Sequence, residues 1–215
     1  MAREAKTPPE QIYRVARMPD AWAPPDWSRA LRDGTFDNRF DDPESEYRVL
    51  YASSQPVGCF LETLARFRPD LATLAAVNEI EGEDDFTPAG KVPPGWELNR
   101  AIGKARAEGN FADICGGEWL TYLRSKLASE CVELGIKEFD ASVMQSTKRA
   151  ITQQVSRIAY ELGYAGIYYR SRYGHDLDNW ALFEPFRIRE TSTQAIARNH
   201  PALVEAAGIL GIKVD

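Results

Sequence analysis

The stretch VLYASSQPVGCFLETLARF, residues 49–67, passes from strand to helix and sets the mixed character of the chain. Its first part joins the β-branched and aromatic run YRVLYAS (47–53), which reads as a strand. Ser54 is placed to cap the next element, and Pro56 suits a first helical turn. On a helix over 55–67, Val57, Phe60, Leu61, Leu64 and Phe67 share one apolar face. Glu62 lies off that face, among Gly58, Cys59 and Ala65. A solvated glutamate paired with Arg66 at i+4 is the ordinary expectation for it. Small neighbours instead leave room for something to approach the backbone closely. Tyr51, just upstream, puts an aromatic ring within reach of the same crevice.

Toward the N-terminus, QIYRVARM (11–18) reads as a first strand, followed by a loop rich in Pro, Asp and Gly. Toward the C-terminus, LAAVNEIE (74–81) reads as another strand, and residues 82–99 as an exposed excursion. EWLTYLRSKLASECVELG (118–135) and TKRAITQQVSRIAYELG (147–163) have helical spacing and close on Gly. KEFDASVMQS between them fits either a strand or a turn. YAGIYYRS (164–171) and NWALFEPFRI (179–188) read as strands joined by a turn, and a helical pattern begins at Pro201. The tryptophans, Tyr168 and Phe183 are assigned to core packing. The expectation is an α+β fold, a single mixed domain over residues 11–187, with 188–215 as a C-terminal extension packed on it.

Composition narrows the function classes. The 215 residues carry a net charge of −6 with 44% hydrophobic residues, which suits a globular chain and argues against a nucleic-acid partner. A few converging arginines would still hold a small anion. No apolar run is long enough for a membrane span, and no secretory signal pattern opens the chain, so a cytoplasmic location is expected. Cys59, Cys115 and Cys131 are widely spaced and, with only His175 and His200, make a metal site or histidine triad unexpected.

Taken singly, the remaining polar candidates have ordinary readings. Arg39, among Asp37, Asp41 and Asp42, suits a surface ion pair. Arg14 suits an edge-strand charge, and Ser171 a turn. Their order along the chain says more. YRVAR, NRF, VLYAS, LET and GYAGIYYRS…NWALFEP together resemble the RES-domain family, over roughly residues 11–187. The Arg, Glu and Ser of its name would be Arg39, Glu62 and Ser171. Two departures stand out, Asn38 where many members have Gly and Arg170 where many have Pro.

The resemblance implies a β-rich core with flanking helices, similar to ADP-ribosyltransferase toxins, around an NAD crevice. It implies an enzyme that consumes NAD as substrate by phosphorolysis or hydrolysis, with inorganic phosphate as a possible co-substrate and no metal. Transfer of ADP-ribose to a protein is a second enzymatic reading. A catalytically inactive module that holds a nucleotide or partner is a third. It also implies a proteinaceous antitoxin. In that frame Glu62 would stabilise positive charge developing on the ribose. Arg14 and Arg39 would grip the pyrophosphate or position an incoming phosphate. Tyr51 would offer its ring to nicotinamide or its hydroxyl to ribose, and Ser171 would meet the carboxamide or the adjacent ribose. Gln153 either faces the crevice or solvent, and Asn179 either joins the site or starts a turn.

Overall fold

The computed structural model describes residues 3–75, 90–174 and 176–214. Its strands are β1 (Ala5–Lys6), β2 (Ile12–Arg17), β3 (Val49–Ser53), β4 (Gly90–Val92), β5 (Arg100–Ala107), β6 (Phe111–Asp113), β7 (Gly166–Arg170), β8 (Asp178–Phe183), β9 (Ile188–Ala195) and β10 (Ile212–Val214). Among the described residues, eight form one sheet in the order β1-β6-β7-β8-β3-β2-β5-β9, and β10 pairs with β4 apart from it. Among the described residues, the β6–β7 pairing of the large sheet is parallel and its other pairings are antiparallel. The helices are α1 (Pro56–Leu64), α2 (Gly117–Lys126), α3 (Ala128–Glu133), α4 (Arg149–Glu161) and α5 (Pro201–Leu210). The fold is therefore the expected α+β domain.

Two apolar clusters hold the helices to the sheet. Trp119 and Leu123 of α2 pack with Ile151 and Val155 of α4, Ile167 of β7 and Ala181 of β8. Phe60, Leu61 and Leu64 of α1 pack against Leu203, Ala206 and Leu210 of α5. Each cluster buries several large side chains, and each such side chain contributes about 1.5–3 kcal/mol by leaving water. A third cluster surrounds Trp22, Leu50 and Trp180.

The structure revises several boundaries. Within the expected C-terminal extension, residues 188–195 form β9, which pairs along β5 as an edge strand of the large sheet. Strand β5 falls where no element was expected. Its inward positions Ala101, Gly103, Ala105 and Ala107 are all small and buried, so the alternation carries little hydrophobic weight. The small residues follow from Trp22, whose ring lies over the strand. A Cβ on Gly103 would sit 2.7 Å from Trp22 Nε1 and from Ala21 Cβ.

The expected helix over 118–135 divides at Leu127, whose φ of −106° and ψ of 21° interrupt the helix. KEFDASVMQS ends in a 3-10 turn, Ala141–Gln145, capped by the Asp140 side chain. Gln55, not Ser54, occupies the cap position of α1. Ser54 Oγ instead accepts from Trp180 Nε1 at 2.9 Å. The strand expected at 74–81 meets a helical turn at 71–75, and the rest of it lies outside the described residues, as do His175 and residues 82–89.

Candidate active site

A cleft of about 440 Å³ opens where β2, β3, β7 and β8 meet α1 and the start of α4. Glu62 reaches it from α1. Ser171 Oγ donates to Glu62 Oε1 at 2.8 Å, and Asn179 Nδ2 donates to the same oxygen at 2.9 Å. Both bonds fall on one oxygen, so Oε2 remains available to a ligand hydroxyl. The pair with Arg66 is not formed; Arg66 Nε donates to the Thr63 carbonyl at 3.3 Å.

Gly58 explains how the carboxylate gets there. It stands one turn before Glu62, where α1 lies against β3. A Cβ at this position would fall 2.2 Å from Ser53 Oγ and 3.0 Å from Ser53 Cβ. The hydroxyl of Ser53 is itself committed to the Asp178 carbonyl at 3.0 Å. A side chain at 58 would push the helix outward and draw Glu62 away from Ser171 and Asn179. Gly58→Ala is expected to cost about 1–3 kcal/mol of stability, as overpacking does, and to lower turnover together with it. Thermal melts and rates on Gly58→Ala and on the Ser53→Gly/Gly58→Ala double variant check this. The double variant removes both clashing atoms and should recover much of both losses.

Arg39 sits on a loop braced from three sides. Its Nη1 donates to the carbonyls of Met144 and Ser146, at 2.7 and 2.9 Å. From α4, Ser156 Oγ donates to the Phe40 carbonyl at 2.6 Å, and Gln153 Nε2 donates to the carbonyls of Phe36 and Asn38 at 3.3 and 3.2 Å. Tyr51 supplies the third brace, its hydroxyl accepting from Phe40 N and donating to Asp41 Oδ1, both at 2.9 Å. Asp41 Oδ2 takes both the backbone N–H and the side-chain amide of Asn38 at 2.7 Å. Asn38 thus has a use that glycine lacks, and its backbone is not in the left-handed region where glycine would be needed. Asp41 and Asp42 are spent on the loop and on Arg157, so the surface ion pair expected for Arg39 does not form.

These contacts assign the candidates different places. Arg14, Arg39, Tyr51, Glu62 and Asn179 all line the cleft. Ser171 is buried behind Glu62 and holds it. Gln153 stands outside the lining, because its amide is consumed by the Arg39 loop. The Tyr51 hydroxyl is likewise consumed, which leaves only its ring to the cleft. Arg14 is anchored by bonds from Nε to the Ala21 carbonyl and from Nη1 to the Tyr51 carbonyl, at 2.9 and 3.0 Å. Burial lowers its pKa to about 10, and it stays charged at neutral pH. Cys59 also faces the cleft, and burial raises its thiol to about 12, which disfavours the thiolate.

The structure adds residues that the sequence did not place in the site. Arg66, Arg149, Arg170 and Arg172 join Arg14 and Arg39, so among the described residues six guanidiniums and one carboxylate line the cleft of a chain with net charge −6. Arg149 opens α4, whose N-terminal end already favours negative charge and has no acidic residue in its first turn. A cation there adds to the positive potential. Burial and the nearby Arg149 and Arg172 press the pKa of Arg39 downward. Such mutual repulsion is relieved by an anion with several charges. Tyr169 lines the cleft too, and burial followed by the charge of Glu62 pushes its phenol up. Ser171 follows it by two residues, directly after the end of β7 at Arg170.

The RES domain family model matches residues 11–202 of the chain. No curated protein matches it. Among solved structures, a chain of the M.tuberculosis MbcT-MbcA toxin-antitoxin complex is similar at 14% identity and a TM-score of 0.48, over 89% of this chain and 87% of that chain.

Proposed function

The chain belongs to the RES-domain family, and we propose that it binds NAD in the arginine-lined cleft and cleaves its nicotinamide–ribose bond. The observation that carries this reading is the Glu62 carboxylate, fixed by Ser171 and Asn179 in a cleft whose other charges, among the described residues, are guanidiniums. Nicotinamide leaves with the bonding electron pair, and the ribose carbon becomes oxocarbenium-like. Cations alone would oppose that charge. The substrate pyrophosphate neutralises several of them, and the Glu62 charge then lies beside the sugar, where stabilisation of the transition state is worth most. The Tyr51 and Tyr169 rings offer flat apolar faces for the nicotinamide. Phosphate or water closes the reaction by forming a new bond from oxygen to the ribose carbon, and water loses a proton in doing so. The arginine excess favours phosphate as the acceptor.

Incubation with NAD, with and without phosphate, and the masses of the products test the reading. ADP-ribose carrying an extra phosphate, formed only when phosphate is present, supports phosphorolysis. Free ADP-ribose in both cases shows hydrolysis. Mass added to a co-incubated protein shows transfer, and intact NAD at high enzyme concentration shows a binding module. The Michaelis constant for NAD should rise with added NaCl, because exposed charge interactions are screened within about 8–10 Å at 0.1–0.15 M salt. A proteinaceous antitoxin that covers the cleft belongs to the same proposal. A cognate partner should restore growth to cells in which the chain depletes NAD.

A further inference from the structure

A second hollow of about 480 Å³ opens beside the cleft and shares Arg172 with it. Its wall runs from the end of α1 through Arg68 and Asp70 to Tyr173. The guanidinium carbons of Arg172 and Arg68 lie 5.0 and 5.9 Å from the centre of the Tyr173 ring. Among the described residues, neither arginine has a carboxylate within ion-pair distance. Asp70 is the acidic side chain of the wall, and its Oδ1 accepts from Thr73 N at 2.7 Å, capping the next turn.

The hollow is held in register with the cleft. Tyr173 N donates to Ser171 Oγ at 3.2 Å, and that hydroxyl donates to Glu62. The Ser171 N–H donates to the Leu177 carbonyl at 2.8 Å, and Gln55 Nε2 donates to the Asp176 carbonyl at 2.8 Å. These bonds fix Arg172 and Tyr173 relative to the carboxylate. Two guanidiniums close to one ring suit a phosphomonoester, whose dianion their planar forks grip. An arginine near the adenosine ribose is the usual means of accommodating a 2′-phosphate.

We propose that this hollow is a phosphomonoester subsite for the adenosine end of the substrate, so that the enzyme takes the 2′-phosphorylated dinucleotide, NADP, in preference to NAD. This rests on the dinucleotide reading of the cleft. The extra phosphate brings about 1.5–2 further negative charges to a wall where, among the described residues, two arginines face one carboxylate.

Calorimetric titration of the Glu62→Gln chain, which should bind without turnover, tests the subsite with NAD, NADP, adenosine 2′,5′-bisphosphate and inorganic phosphate as separate probes. NADP is expected to bind about tenfold or more tightly than NAD, the scale of one charge-assisted contact. Arg68 lies outside the cleft, so Arg68→Ala in the same background should erase that advantage and weaken the bisphosphate while leaving NAD within about twofold, a change too small to represent a lost contact. Equal affinity for the two dinucleotides overturns the proposal, as does a preference for NADP that survives Arg68→Ala. If free phosphate binds the NAD complex in an Arg68-dependent way and NADP gains nothing, the ligand is the free ion and the NADP assignment falls. Binding of the bisphosphate with neither dinucleotide bound would refute the dinucleotide reading of the cleft and the NADP preference with it.

Discussion

Glu62→Gln is expected to lower the rate of NAD cleavage by about 10²–10³-fold, the cost of removing one well-placed electrostatic contact to a transition state. The amide oxygen of glutamine can still accept from Ser171 and Asn179, so the side chain should keep its place and lose only its charge. The Michaelis constant should therefore change little and the melting temperature hardly at all. Single-turnover kinetics with purified chain measure this, and cellular NAD after expression of both forms gives the same contrast in vivo. Equal depletion by the two forms would remove Glu62 from the chemistry. A large fall in melting temperature would show instead that the charge holds α1 to β7 and β8.

Arg39→Ala should have the next largest effect. It removes a guanidinium from the cleft and cuts the tether from the 36–42 loop to the carbonyls of Met144 and Ser146. Hydrogen bonds to charged groups are worth about 1.5–3 kcal/mol each, so NAD affinity should fall about 10–100-fold, at 1.4 kcal/mol per tenfold. Lysine should rescue little. An ammonium is a point charge and cannot reproduce a planar fork spanning two carbonyls and a phosphate. Titrating NAD into Arg39→Ala and Arg39→Lys, each also carrying Glu62→Gln, separates binding from turnover. Wild-type affinity in the lysine variant would show that charge alone matters at this position. Gln153→Ala, by contrast, should act only through the loop it braces, with a smaller effect that the Arg39→Ala background abolishes.

Much of the fold was legible because the patterns were local. The apolar face of α1, the spacing of α4 and the aromatic and aliphatic runs of β3, β7 and β8 announce their elements within a few residues. Strand β5 did not, because its inward face is small to make room for Trp22, some eighty positions away in sequence. The break at Leu127 and the edge strand β9 depend in the same way on what packs against them. In the site, Glu62 could be suspected from Gly58 and Cys59 nearby. Arg66, Arg149 and Arg172 could not, since an arginine on a helix or in a turn looks alike whether it faces a ligand or water.

The mixed architecture, the order of the RES motifs and the odd placement of Glu62 among small residues are all written in the amino-acid order. Which side chains share a cavity, and which merely support it, emerges only when the chain is folded. Ser171 and Gln153 illustrate the difference: one is buried behind the carboxylate and the other is consumed by backbone carbonyls. Periodicity reports which face of an element is apolar, a property of neighbours along the chain. The convergence, among the described residues, of six guanidiniums on one carboxylate is set instead by strand order, which pairs residues more than a hundred positions apart, and by the close approach of α1 to β3 at Gly58.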